Sequence, residues 1–188
     1  MRIPSLLLLV LAFGSLQGCF PVVATGVGAG ALMAQDRRTS GAYIEDETIE
    51  NKAMSRIGNQ YKDKVHVNVT SFNRNVLVSG EVPSEAIKIE IGRLVIGIEN
   101  VRNVNNELVA SGISSLTSRG SDSLVTSNVK LRFMNNDRFS VHHVKVITEN
   151  GKVFLMGIVT RAEADAATEI ASTTSGVQHV VKLFEYLD

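Results

Sequence analysis

Apolar and polar residues alternate at Val65, Val67 and Val69, and the same beat returns at Val144 and Val146. Period two marks a strand with one buried face. Each run leads into a second, denser one: VLVSGEV at residues 76–82 and VFLMGIV at 153–159. Between the second pair stands Asn150-Gly151. Both residues accept positive φ, so a type I′ turn and a tight hairpin are predicted. The first pair is joined by Asn73-Arg74-Asn75, read as a looser version of that turn. Helical spacing then takes over at Ile87, Ile91, Leu94, Val95 and Ile98, and at Ala164, Ala167, Ile170 and Ala171. Pro83 suits a first helical turn, and Thr160 with Glu163 forms a Thr-x-x-Glu capping box. Upstream helices are predicted over 45–59 and 122–135. Their core faces carry Ile49, Ala53 and Ile57 in one and Val125, Val129 and Phe133 in the other.

These elements repeat in one order: helix, strand, strand, helix, strand. His66 falls on His143, Asn73 on Asn150 and Gly80 on Gly157, a constant offset of 77 residues. Asp46 and Asp122 hold matching places ahead of the core residues of the first helices. Asn100 fills the turn that Gly176 fills, both tolerating left-handed backbone. The chain is one domain written twice. Gly80 and Gly157 end the hairpins, where a side chain is expected to meet a helix. Each copy is near the small end of what stabilises itself, so the two should share an interface. Residues 111–123, SGISSLTSRGSDS, have linker composition.

The amino terminus changes the picture. Arg2, an apolar stretch over residues 3–13 and a small-residue approach to Cys19 read as a secretory signal. Cys19 is the one cysteine of 188 residues, so it has no internal disulfide partner. Leu16-Gln17-Gly18-Cys19 resembles the lipobox of bacterial lipoproteins. That resemblance implies acylation of Cys19 and cleavage before it; the other reading is a plain signal with an incidental thiol. One acyl chain binds a bilayer only marginally, while two or more give stable anchoring. Phe20, rather than Asp, follows the cysteine, which by resemblance to a Gram-negative sorting rule directs the protein to the outer membrane. Residues 21–34, PVVATGVGAGALMA, read as a flexible tether, or else as a hairpin buried on the folded body. Arg2 is the only charge among the first 18 residues, so the mature chain carries 18 basic against 19 acidic side chains. Near neutrality gives no bulk attraction to nucleic acid, and no nucleic-acid partner is expected.

Catalytic signatures are missing: no G-x-S-x-G, no Walker loop, no H-E-x-x-H. No enzymatic activity and no cofactor are expected. Gly26 to Gly30 resembles a phosphate loop in composition only. His142 and His143, read as strand neighbours, point to opposite faces and chelate one ion poorly, alone or with His179, so no metal site is expected. Glu45, Asp46, Glu47 and Glu50 read as acids favouring the positive end of a helix.

One contrast separates the copies. On a helical wheel at 100° per residue, Leu124, Leu131 and Met134 gather opposite the core face of the second copy's first helix. Ser127 lies among them and Lys130 alongside. The corresponding residues of the first copy are Thr48, Ser55 and Gly58, with Asn51 among them. A second apolar stripe needs a partner. A membrane surface fits, with Arg119, Lys130, Arg132 and Arg138 meeting phosphates. A protein partner fits equally on composition alone.

The hairpin motif V-x-L-x-G-x-V followed by G-V-x-x-V resembles the BON domain. The second copy has it as VFLMGIV and GVQHV, the first as VLVSGEV and NVRNV. Signal, lipobox, glycine-rich segment and two such domains are similar to the dual-BON lipoproteins of Gram-negative outer membranes, the DolP type. The resemblance implies an α+β fold of two tandem BON domains, each an αββαβ sandwich with a three-stranded mixed sheet packed on two helices. The expected segments are a signal at 1–18, a lipidated terminus and tether at 19–42, BON domains at 43–110 and 122–188, and a linker at 111–121. It further implies a monomeric lipoprotein on the periplasmic side of the outer membrane, serving membrane integrity and enriched at the division site. Its second domain would bind anionic phospholipid of the phosphatidylglycerol or cardiolipin type. The helix carried over is Asp122 to Asn135, and with the wheel and the local charge the candidate lipid-binding residues are Ser123, Leu124, Ser127, Asn128, Lys130, Leu131, Arg132, Met134 and Arg138. The rival reading is a periplasmic adaptor whose apolar helix face docks on protein.

Overall fold

A computed structural model describes residues 36–111 and 116–188. The signal, Cys19 and the segment up to residue 35 lie outside the described residues, as do linker residues 112–115. The first copy comprises α1 (Ser40–Tyr61), β1 (His66–Phe72), β2 (Asn75–Val82), α2 (Glu85–Ile96), β3 (Asn103–Asn106) and β4 (Val109–Ala110). The second comprises α3 (Leu116–Met134), β5 (Val144–Glu149), β6 (Lys152–Val159), α4 (Arg161–Ser172) and β7 (His179–Tyr186). β2 and β6 are the central strands, each antiparallel to the strand before it and parallel to the one after its helix.

Both long helices start earlier than periodicity predicts. The hydroxyl of Thr39 accepts the Ala42 amide at 3.1 Å and caps α1 five residues ahead of the predicted start. Helix α3 reaches back to Leu116, into residues whose composition reads as linker. Ser84, not Pro83, caps α2, so the proline lies just outside the helix. The capping box of α4 is complete: Thr160 N–H donates to Glu163 at 2.8 Å, and Glu163 N–H donates to Thr160 at 3.3 Å.

The hairpin of the first copy is as tight as that of the second. Its turn is the two residues Asn73 and Arg74, with φ of 50° and 66°; Asn150 and Gly151 have 50° and 72°. A carboxylate makes the strained first turn tenable. Asp46 accepts the Asn73 and Arg74 amides at 2.8 and 2.7 Å, and Asp122 accepts the Asn150 and Gly151 amides at 2.8 Å each. Asp46 therefore does not simply favour a helix end; it sits buried in α1 and clamps a turn 27 residues away. Ser71 Oγ adds a 2.6 Å bond to it. Charge-assisted bonds of this kind are about twice as strong as neutral ones.

Gly80 and Gly157 are required, though not by a helix. A Cβ at Gly80 would sit 2.1 Å from the His66 carbonyl oxygen, and one at Gly157 would sit 2.3 Å from that of His143. The two differ in twist. Gly80 has φ of +116°, and opposite it the last strand breaks into β3 and β4. The register is the same on either side of the break (Val78↔Asn106, then Glu81↔Val109), so the ladder lapses without an inserted residue. Leu108 turns into the core at the lapse. β7 runs unbroken beside β6.

Each sheet carries helices on one face, over cores built on Ile49, Val76, Val78 and Ile91 in one copy and Val129, Phe133, Val153 and Leu155 in the other. The opposite faces meet. Phe72 and Leu77 of the first sheet pack with Phe154 and Met156 of the second. β2 and β6 are thus buried on both sides, which accounts for their near-continuous apolar runs. Burying side chains of this size contributes roughly 1.5–3 kcal/mol each, so the joint is integral to the fold.

Polar ties rim the joint. Lys145 reaches Glu50 at 3.2 Å and Lys152 reaches Glu107 at 3.1 Å. Asn73 and Asn75 donate to Glu185. The residues just before α1 also cross it. Arg37 forks onto both Glu163 oxygens at 2.6 and 2.9 Å and donates to the Ile158 carbonyl at 2.9 Å. Arg38 pairs with Asp36 and Asp46 while its guanidinium lies 4.2 Å over the Phe72 ring. The Arg37 hydrogen bonds hold the Glu163 carboxyl at about 2, against burial, with help from the Thr160 amide and His143.

Candidate functional site

The outer face of α3 carries the sequence-predicted stripe. Leu124, Leu131 and Met134 are 67%, 56% and 66% exposed, far above any side chain of the core. A helix puts residues three, four and seven apart on one side, so the three form a continuous strip with Ser127 inside it. The hydroxyls of Ser127 and Ser123 donate to the carbonyls of Ser123 and Arg119, one turn back. The strip therefore offers little unmet hydrogen-bonding demand. Asn128 and Lys130 are exposed beside it. Lys130 makes no hydrogen bond or ion pair among the described residues, so its charge faces solvent.

The other two basic residues on the predicted list are turned aside. Arg132 donates to the Ile170 carbonyl at 2.8 Å and to Thr174 and Thr173 at 2.7 and 3.1 Å, tying α3 to the end of α4. Arg138 forms a 2.7 Å ion pair with Glu169, which keeps that exposed carboxyl below its ordinary range. Sequence reasoning grouped these arginines by proximity in the chain; the structure spends their donors on the second domain itself.

The matching face of α1 is different. Ser55, Gly58 and Asn51 are exposed and polar or small, and Thr48 bonds back to the Ile44 carbonyl. Three apolar side chains of α1 do reach solvent, Tyr43 at 39%, Ile44 at 63% and Met54 at 43%. Met54 stands ten residues from Ile44, about 15 Å along the axis, and neighbours such as Tyr43 and Ile44 do not share a helix face, so the three form no strip.

The histidines are also placed differently from expectation. His142 and His143 lie in a 3-10 turn (Val141–His143) ahead of β5, not in a strand. His143 Nδ1 approaches Glu163 at 3.3 Å. Among the described residues, neither joins His179 in a cluster able to hold a metal. A different cluster does exist: His66, Glu81 and Glu149, whose ligand atoms all lie within 4.8 Å of one another. Burial pushes the Glu149 carboxyl up, against the Asn68 hydrogen bond and the nearby His66. Sequence reasoning missed this group, yet a signal was present. At the 77-residue offset Glu81 falls on Ile158, and Glu149 falls on Phe72. Each copy has one carboxylate where its twin is apolar.

With this geometry in view, similarity to known proteins is informative. The BON domain model matches residues 45–112 and again 121–188. The chain belongs to the BON domain family, in tandem. Outer membrane lipoprotein DolP of Haemophilus influenzae is 42% identical over 175 residues, covering 92% of this chain and 91% of that protein. The 21 kDa hemolysin of Actinobacillus pleuropneumoniae is 32% identical, covering 81% and 79% respectively. Osmotically-inducible protein Y of Escherichia coli is 28% identical, covering 83% and 80%. Each BON unit places a mixed sheet against two helices, three-stranded in the second unit and four-stranded in the first, where the last strand is split into β3 and β4, in the αββαβ order read from the sequence. No helix among the described residues is long and apolar enough to cross a membrane.

Proposed function

We propose that this chain is an outer-membrane lipoprotein, held at the periplasmic leaflet by acyl groups on Cys19, whose second BON domain docks on anionic phospholipid. The exposed strip on α3 carries the reading: Leu124, Leu131 and Met134 enter the headgroup boundary, and Lys130 meets phosphate. Ser123, Ser127 and Asn128 lie at the same level and contact the headgroups. Arg132 and Arg138 would contribute field more than contact, because their donors are engaged on α4. Phosphatidylglycerol or cardiolipin supplies the negative surface, and each lysine near such a surface contributes about 1 kcal/mol. That is a weak contact by itself. Acyl anchoring raises the local concentration of α3 at the bilayer, so a weak contact suffices and lipid composition governs position. Enrichment where anionic lipid gathers, the division site among them, and a part in outer-membrane integrity follow from that mechanism. The relationship to DolP supports the same assignment.

The test is flotation of the mature chain, carrying Cys19→Ser, with phosphatidylglycerol or phosphatidylcholine vesicles. Co-flotation with the anionic vesicles alone, lost in Leu131→Glu and reduced in Lys130→Gln, is the expected result. Equal flotation of Leu131→Glu and wild type would overturn the lipid reading. If Leu131→Glu instead loses an envelope protein in crosslinking while wild type ignores vesicles, the strip is an adaptor surface. For the anchor, Cys19→Ala should move the protein from the membrane to the soluble periplasmic fraction.

A further inference from the structure

The joint between the two sheets contains a polar cluster that the lipid reading does not use. His66 opens β1, Glu81 lies near the end of β2, and Glu149 closes β5, so two ligands come from the first domain and one from the second. Glu81 and Glu149 are almost wholly buried, and His66 is half-buried. The His66 Nδ1 to Glu81 Oε2 distance is 2.8 Å. Burying two carboxylates side by side favours positive charge beside them, and Arg119 lines the cavity next to the cluster. We propose that His66, Glu81 and Glu149 form a divalent-cation site, suited to zinc, that pins the two BON domains together.

The donor set fits that ion. One imidazole nitrogen and two carboxylate oxygens are ordinary zinc ligands, and three protein ligands with an open fourth position make a common arrangement. Tetrahedral bonds of about 2.0–2.2 Å hold ligand atoms about 3.4 Å apart. The 2.8 Å pair must open slightly, and the remaining pairs, at most 4.8 Å apart, close by no more than about 1.4 Å. Side-chain rotation covers such shifts. Supporting hydrogen bonds are already in place. Asn150 Nδ2 donates to Glu81 Oε1 at 2.7 Å, Asn68 Nδ2 donates to Glu149 Oε2 at 2.9 Å, and Ser79 Oγ approaches the same oxygen at 3.4 Å. Amide donors on the outer oxygens orient carboxylate ligands in metal sites.

There is room for the fourth ligand and a way in. A cavity of about 230 Å³ opens beside the cluster, lined by His66, Glu149, Thr126 and Thr148 together with Arg119 and Asp122. It holds several waters with ease. Arg119 supplies the competing positive charge near the carboxylates, and Asp122 adds a negative one. Binding would exchange the His66–Glu81 hydrogen bond for two bonds to the cation, the bridging proton leaving Nδ1 for the imidazole's other nitrogen or for solvent. Because the ligands span both domains, the ion's affinity adds directly to the stability of the joint.

The untagged, metal-stripped lipoprotein in detergent micelles is titrated with zinc chloride against a chromogenic chelator at neutral pH. One zinc per chain is expected. His66→Gln and Glu149→Gln should each weaken it at least tenfold, and Arg119→Gln should tighten it by relieving charge competition. Wild-type affinity in either ligand variant, or weaker zinc binding in Arg119→Gln, would overturn the site. Circular dichroism checks that the variants fold. Should one fail to fold, cobalt(II) absorption by wild type decides: intense four-coordinate bands support the site, and the weak bands of the aqueous ion refute it.

Discussion

The first helix of each repeat does the same structural task and presents a different surface. α1 and α3 each bury an aspartate that clamps a hairpin turn and an apolar stripe that covers a sheet. Their outer faces have parted: α3 keeps a strip of Leu124, Leu131 and Met134, while α1 shows Asn51, Ser55 and Gly58 with exposed apolar residues that form no strip. The lesson is that duplication frees the face that the fold does not use. Whatever the core and the turn demand is held in both copies, and the solvent side of one can be given to a partner.

Breaking the shared part should have the largest effect. Asp46→Ala removes the acceptor of two turn amides, of Ser71 and of one Arg38 donor, leaving Asp36 as the guanidinium's remaining carboxylate. A loss of about 3–5 kcal/mol is expected in urea unfolding, since several donors lose their acceptor at once. Asp122→Ala loses the two amides without a buried arginine and should cost less, about 1–3 kcal/mol. Equal losses would mean that Arg38 adds nothing. Phe154→Ala opens a cavity between the sheets and should cost about 3–5 kcal/mol; a smaller loss would show the domains to be loosely joined.

The unshared part should matter for binding and not for folding. Leu131→Glu should lower affinity for anionic vesicles at least tenfold, since burying one leucine is worth roughly 1.5–3 kcal/mol, and its melting temperature should stay put. Ser55→Glu at the matching place on α1 should change neither. Vesicle binding lost in both would erase the contrast.

Acid tests the strap that crosses the joint. The Glu163 carboxyl lies at about 2 when folded, below its ordinary 4.5. A depressed folded value means that its contribution is complete above about 4.5, declines as pH falls, and is gone below about 2. Arg37→Gln removes the main cause, so its stability should fall less steeply over that window in acid titrations. The smallest effect concerns the turn. Arg74→Gly makes the first hairpin resemble the second; it relieves a left-handed arginine whose buried Nε has no hydrogen-bond partner. A gain of up to about 1 kcal/mol is expected.

Much of this was legible from the chain. Asn150-Gly151, the Thr160–Glu163 box and the period-two valines obey rules that operate over a few residues. The α3 strip was legible for the same reason, because a wheel needs only spacing. The true start of α1 was not, since Thr39 caps from outside the apolar period. Asn73-Arg74 misled because arginine rarely adopts positive φ, and only the distant Asp46 holds it there. The fates of Arg132 and Arg138 depended on where α4 ends.

The repeat, the αββαβ order within it and the face of α3 that lacks a partner can all be read from the chain. Which sheet faces meet, and with them the meeting of His66, Glu81 and Glu149, is set by how the two domains fold together. The difference is one of range. Periodicity and turn chemistry act between neighbours along the backbone, whereas β6 looks apolar on both faces and Ser79 and Glu81 make one face of β2 read locally as a solvent side, although both are buried. Nothing local marks either face as the one that covers the other domain, so contacts across 70 to 80 residues are set only when the two sheets dock.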